Sequence, residues 1–435
     1  MALTSELQTN CQNYIDMKFL LIVFTIGVVL SCKSTTGKTS CFENEINEFN
    51  YIIGTQTVGA KYKFSEETNL VETAKAIRSM GSNLLKFSMA PRYWWENYDI
   101  PKDDSITSLK KLAREKSMKA VLDMDFKYYQ IWVYEFSQYT SEPPGIKKDE
   151  NQIKFIGGMS DDHAAASYRE VYELACYLLE TYNGSGKIFM LGNWEGDWHL
   201  RWDYDRKKPA DPETIKGMTR WFNMRQQAVD DAKRDIKHTN VELYHYIEVN
   251  LSDLAVKGEA CVTNSILPFI NPDYVSFSAY TATNTPSTEA EMDSMLTVHL
   301  NYIESKIQPK PAIEGKRLFI GEYGWPELGA YANEPATRTP EEINERAKWV
   351  IRSGLKWGSP FILWWEMYNN ELTKDGKNRG FWLINERGDK TPLYNTHQAF
   401  YDEARKWVKN YCDAHSKMPS CLEFRMAARE FEALK

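Results

Sequence analysis

Short apolar runs alternate with longer amphipathic stretches from residue 51 almost to the end of this 435-residue chain. The runs predict strands at Tyr51–Gln56, Asn83–Ser88, Lys119–Asp123, Ile188–Gly192, Val241–Ile247, Tyr274–Ser278, Leu318–Gly321 and Phe361–Trp365. Between them, apolar residues recur at helical spacing over Glu66–Met80, Ser105–Lys116, His163–Tyr182, Pro212–Lys237, Thr288–Ile307, Pro340–Trp357 and Leu393–Asn410. After the fifth strand, Val262–Ile270 supplies only a short helical turn. Eight strand–helix repeats predict a single-domain α/β fold, the (β/α)8 TIM barrel.

Loop lengths agree with that reading. Helix-to-strand links are tight, as at Gly81-Ser82 and Trp357-Gly358-Ser359-Pro360. Strand-to-helix links are long and aromatic: Phe126–Ser160, Gly196–Asp211, Tyr323–Thr339 and Glu366–Pro392. In such a barrel the strand C-termini carry function. The expected domain spans 49–411, followed by a C-terminal extension over 412–435.

The N-terminus departs from the pattern. From Met17, a possible alternative start, Lys18 precedes an apolar run that ends Val29-Leu30-Ser31-Cys32. The run suits a signal-peptide core and is short for a membrane span. Its end resembles a bacterial lipoprotein processing box. Residues 1–32 are therefore expected to be an export signal with Cys32 lipidated, and 33–48 a polar tether. That makes an exported protein, on the membrane through a lipid anchor only.

Composition narrows the chemistry. The net charge of −7, with no basic patch, argues against a nucleic-acid partner. Seven cysteines include no Cys-x-x-Cys, and Cys412 and Cys421 could be bridged in an exported chain. Cys176, in a helical pattern, is expected to be a small buried residue. No dinucleotide, phosphate-loop or nucleophile-elbow motif occurs, and the histidines are scattered. No cofactor and no metal is expected. Fourteen Trp and 25 Tyr are many, and flat rings suit a carbohydrate partner because sugar faces stack on them.

Two glutamates stand where such chemistry needs them. Glu195 follows Ile188-Phe189-Met190-Leu191-Gly192-Asn193-Trp194, and Glu322 lies in Phe319-Ile320-Gly321-Glu322-Tyr323-Gly324. Both fall at strand C-termini, the fourth and the seventh. A carboxylic acid that protonates a leaving oxygen, with a carboxylate that attacks the sugar carbon or activates water, cleaves glycosidic bonds. Asp197 and Glu366 are reserve carboxylates. Lys86, Arg92, Asp125, His245 and Glu248 are weaker pocket candidates, for each of which a structural ion pair is at least as good a reading. Trp94, Trp95, Trp198, Trp202 and Trp325 are loop tryptophans on the presumed functional face.

These segments resemble the retaining glycoside hydrolases of clan A. The Gly321-Glu322-Tyr323-Gly324 run is close to that clan's nucleophile segment. The eighth strand ends in Trp364-Trp365, and Gly380 to Tyr394 is similar to its closing segment. The resemblance implies Glu322 as nucleophile and Glu195 as acid/base, with Tyr280 beside Glu322. Position and resemblance together make Asn193, Trp194, Trp198, Tyr280, Trp325, Trp364 and Trp365 the expected sugar contacts. One departure is visible: the clan places Asn directly before its acid/base, whereas here Trp194 separates Asn193 from Glu195. A non-catalytic carbohydrate-binding barrel and an inverting glycosidase are the alternatives.

Overall fold

The computed structural model describes residues 42–139, 155, 158–201, 205–330 and 337–435. Eight parallel strands close into a barrel in sequence order: β1 (Ile53–Thr57), β2 (Leu84–Met89), β3 (Tyr128–Val133), β4 (Ile188–Gly192), β5 (Glu242–Val249), β6 (Tyr274–Ser278), β7 (Leu318–Tyr323) and β8 (Ile362–Trp364). Pairing of Ile53 with Ile362 and Thr55 with Trp364 completes the ring. Nearly every strand residue is buried, as expected of a parallel sheet covered by helices outside and filled by side chains inside.

The helix Pro340–Trp357 shows how local sequence builds the outer layer. Thr339 caps it, and Glu342 returns the bond to the Thr339 N–H. Pro340 opens the first turn, and Gly358, at φ 96°, ends the helix in the left-handed region that favours glycine. Ile343, Ala347, Val350, Ile351 and Leu355 face the barrel. Burying each large aliphatic among them stabilises the fold by about 2 kcal/mol. Gly354 lets this helix approach β8, since a Cβ there would lie 2.6 Å from Ile362 Cδ1.

The third predicted strand is corrected. Lys119–Asp123 belongs to a helix, Lys116–Asp123, capped by the Glu115 carboxylate on the N–H groups of Ser117 and Met118. Met118, Val121 and Leu122 are its buried residues, at i, i+3 and i+4, a helical stripe within a run too short to settle by eye. The predicted helix Ser105–Lys116 shrinks to Leu109–Ala113. The true third strand, Tyr-Tyr-Gln-Ile-Trp-Val, lies in what reads as a loop, and its aromatic and β-branched residues explain its choice. After β5, a π-helical turn at Val262–Ile266 and a 3₁₀ turn at Leu267–Phe269 fill the place of the expected short helix.

The base of the barrel is sealed by both ends of the described chain. Glu43–Glu48, expected within the tether, form a helix that buries Ile46. The C-terminal extension adds a helix, Cys421–Ala428, whose Phe424 ring meets Phe49 at 5.0 Å and Tyr51 at 6.0 Å. Cys412 and Cys421 are unbridged: Cys412 is buried against the Met418 sulfur, and Cys421 is exposed. Cys176 is buried in the helix Asp161–Thr181, as expected. Cys32 and the signal lie outside the described residues.

Candidate active site

Glu322 is set by the sheet itself. It lies in β7, and its Cα is paired in register with Ser278 at the end of β6. Glu195 is set by a turn. It follows β4 by three residues and caps the short helix Gly196–His199 with φ 21° and ψ 72°, an uncommon conformation for a residue with a side chain. Ser278 joins the two: it neighbours Glu322 across the sheet, and its hydroxyl donates to Glu195 Oε1. Glu195 Oε2 accepts from Trp198 Nε1 at 2.5 Å and from Asn250 Nδ2 at 3.5 Å.

Both carboxyls open onto one cleft of about 710 Å³ at the strand C-termini. Trp132, Tyr134, Trp194, Trp198, Tyr280 and Trp365 wall it with rings. That is the makeup of a small-molecule site: mostly apolar, with a few convergent polar groups.

The electrostatics make the pair unusual. Glu195 is 7% exposed and Glu322 3%, so loss of water is the largest influence on each. Burial pushes the Glu195 carboxyl up to about 7; the Ser278 and Trp198 donors oppose the rise, and the Glu248 charge adds to it. Burial likewise holds Glu322 well above the ordinary carboxylate range, against the pull of Lys86, whose Nζ lies 3.7 Å from Glu322 Oε2. The charges of Glu195 and Glu248 raise Glu322 further, and Tyr280 beside it lowers it. Two carboxyls this deeply buried, with the charge of Glu195 raising Glu322, do not both ionise easily, so one proton between them is the favoured state.

Other candidates fall into three groups. Trp194, Trp198, Tyr280 and Trp365 line the cleft. Trp325 and Trp364 do not line it: they pack on Tyr323 and on each other behind the site. Asn193 is also withdrawn, its Oδ1 accepting the Glu248 N–H and its Nδ2 donating to the Trp194 carbonyl. The reserve carboxylates are structural in placement. Asp197 is fully buried and accepts from the backbone N–H groups of Asn250, Leu251 and Val262. Glu366 is buried on the Val58 N–H.

Lys86 and Glu248 form a buried ion pair at 2.9 Å beneath the cleft. His245 is buried against Gln226. Arg92 pairs with Glu96, and Asp125 pairs with Arg78 at the opposite end of the barrel, ahead of β3 rather than after it. Trp94 is in the core and packs edge-on against Trp95, which Lys102 covers. Trp202 lies outside the described residues. Sequence reasoning missed Trp132 and Tyr134 because it misplaced β3. It passed over Ser278 and Asn250 because a serine and an asparagine at strand ends carry no distinguishing pattern; a strand-end polar residue directly in register with a candidate carboxylate was the available signal.

No protein-family model matches the chain, and no curated protein matches it in sequence. Solved structures do share its fold. A GH5_18 variant from Streptomyces cattleya, in complex with Manβ1-4GlcNAc, aligns over 88% of this chain and 89% of its own, with 10% identity and a TM-score of 0.52. GH5_18 from Bifidobacterium longum aligns over 86% and 81%, with 12% identity and a TM-score of 0.51. A family 39 glycoside hydrolase from the gut symbiont Bacteroides cellulosilyticus WH2 aligns over 81% of this chain at 13% identity and a TM-score of 0.45, and the alignment spans only 64% of that longer chain. The fold is thus the closed (β/α)8 barrel found among glycoside hydrolases.

Proposed function

We propose that this chain is a retaining glycoside hydrolase with Glu322 as nucleophile and Glu195 as acid/base. The observation that carries the reading is the placement of two buried carboxyls on one aromatic-walled cleft at the strand C-termini, with the buried Lys86 cation 3.7 Å from Glu322 Oε2. That cation favours Glu322 as the member of the pair that holds the negative charge. Glu195 then holds the shared proton, which it donates to the departing glycosidic oxygen while Glu322 attacks the sugar carbon. In the second step Glu195, now a base, takes a proton from water as the glycosyl ester is hydrolysed. Trp194, Trp198, Tyr280 and Trp365 would contact the sugar. At the N-terminus, Cys32 would carry a lipid that anchors the exported enzyme.

A panel of aryl glycosides and oligosaccharides tests the reading. Glu322→Gln should lose nearly all turnover while binding glycan about as well as the wild type, because the amide keeps the shape and cannot attack. Glu195→Ala should retain activity on activated aryl glycosides, whose leaving group needs no proton, and added azide should give a glycosyl azide of retained configuration. An azide of inverted configuration would reverse the roles. A wild-type protein that binds a glycan yet turns over nothing across the panel would replace hydrolysis with carbohydrate binding.

A further inference from the structure

Beneath the cleft lies a buried charge pair that does not touch it. Lys86 on β2 and Glu248 on β5 are both fully buried. Glu248 is divided between two tasks. Its Oε1 accepts the backbone N–H of Glu195 at 3.0 Å, and its Oε2 accepts from Lys86 Nζ at 2.9 Å and from Ser276 Oγ at 2.7 Å. Lys86 is held from other sides as well. Its Nζ donates to the Gly321 carbonyl at 2.9 Å and lies 4.4 Å from the centre of the Trp132 ring. It stops 3.7 Å short of Glu322 Oε2, and that oxygen accepts no hydrogen bond among the described residues. Ser276, which fixes Glu248, is itself accommodated by Gly321: a Cβ there would lie 1.8 Å from Ser276 Oγ.

We propose that Glu248 is a positioning residue for the Glu195–Glu322 pair: it holds the Lys86 cation out of hydrogen-bonding contact with Glu322, leaving Oε2 bare, and it fixes the backbone of Glu195. The proposal rests on the assignment of Glu322 as nucleophile. A carboxylate oxygen tied to an ammonium at hydrogen-bond distance is a poorer nucleophile, since its lone pair is engaged and its charge is neutralised. At 3.7 Å without a bond, Lys86 still favours the anion of Glu322 but leaves the oxygen open. Without the Glu248 charge, the carboxylate nearest Lys86 is Glu322, and the cation closes on it. The titratable and charged groups that bear on Glu248 are Lys86 from β2, Glu195 after β4, Tyr246 on its own strand and Glu322 from β7. Burial holds the Tyr246 hydroxyl far above its ordinary range, so it stays neutral.

The test needs no substrate. Infrared spectra of the full chain follow the carbonyl stretch of protonated carboxyls against pH, and the bands lost in Glu195→Gln and Glu322→Gln identify the two protons. In Glu248→Gln, both midpoints should fall by about one pH unit, because a nearby anion is gone and the Lys86 charge is no longer neutralised. In Lys86→Met, both should rise by about as much. A crystal structure of Glu248→Gln should show Lys86 Nζ within about 3.2 Å of Glu322. Either single change strands a buried charge and can prevent folding. The double variant Lys86→Met with Glu248→Gln strands none; there the Glu195 midpoint should stay near that of the wild type and the Glu322 midpoint should rise. Midpoints that move the same way in both single variants, or a Glu322 midpoint that falls in the double variant, would overturn the proposal. A chain that hydrolyses no glycan would refute the proposed activity without touching this result.

Discussion

Replacing Glu195 with Gln should make the protein more stable at pH 8 than at pH 5, relative to wild type. Unfolded, the Glu195 carboxyl titrates near 4.5; folded, burial raises it to about 7. Below 4.5 both states hold the proton, and the group imposes no penalty. As pH rises from 4.5 towards 7 the unfolded chain releases a proton that the folded chain still binds, so wild-type stability falls. Above 7 the loss is complete. At about 1.36 kcal/mol per pH unit the total is about 3 kcal/mol, of which about 2.5 kcal/mol accrues between pH 5 and pH 8. The amide does not titrate. Whatever it loses in contacts with Ser278, Trp198 and Asn250 is the same at both pH values and cancels. Release of Glu322 from its neighbour's charge adds in the same direction. Thermal unfolding by calorimetry reads the effect. The melting temperature of Glu195→Gln minus that of wild type should increase by about 5 °C from pH 5 to pH 8, at about 2 °C per kcal/mol for a domain of this size. A difference that is flat with pH, or that shrinks, would show that Glu195 is not a buried carboxyl with a raised pKa.

Three further outcomes follow from the same geometry. Trp198→Phe removes a donor that favours the Glu195 anion, so the alkaline limb of the activity profile, expected near 7 in wild type, should move upward by up to about one pH unit. Asp197→Ala strands three backbone N–H groups on the segment after β5 and should cost about 3–5 kcal/mol in chemical denaturation, with Asp197→Asn intermediate. Cys32→Ala should abolish labelling by a fatty-acid analogue and release the protein from membranes; equal labelling in the variant would refute lipidation.

The fold was legible wherever an apolar run was bounded by punctuation. β4, β6 and β7 lie where the runs at Ile188, Tyr274 and Leu318 placed them, because Gly, Asn and Pro mark their ends and the helices between carry long stripes. β3 was missed for a physical reason. Val121-Leu122 is apolar and sits at the right distance from β2, but a carboxylate cap at Glu115 claims it for a helix, whereas the strand begins after Lys127 without a turn signal. That one slip removed Trp132 and Tyr134 from view and moved Asp125 to the wrong end of the barrel. At the site, Glu195 and Glu322 were legible because each ends an apolar run among aromatic and glycine residues. The withdrawal of Asn193, Trp325 and Trp364 was not, since which way a residue turns just beyond a strand depends on tertiary partners such as the Glu248 N–H. Lys86 and Glu248 were named as pocket or ion-pair candidates, and they do form an ion pair; that they pair with each other was not legible, because a buried pair between strands far apart in the chain leaves no local pattern.

The base of the barrel decides how the molecule can be held. The helix Glu43–Glu48 sits there: the Asn47 and Phe49 carbonyls accept from Asn83 at the start of β2, and Glu48 pairs with Lys127 just ahead of β3. The described chain therefore begins, at Phe42, on the end of the barrel opposite the cleft. A force applied at Phe42 would load the Glu43–Glu48 helix, with Ile46 as its one buried residue, before it reached the strand C-termini that present Glu195 and Glu322.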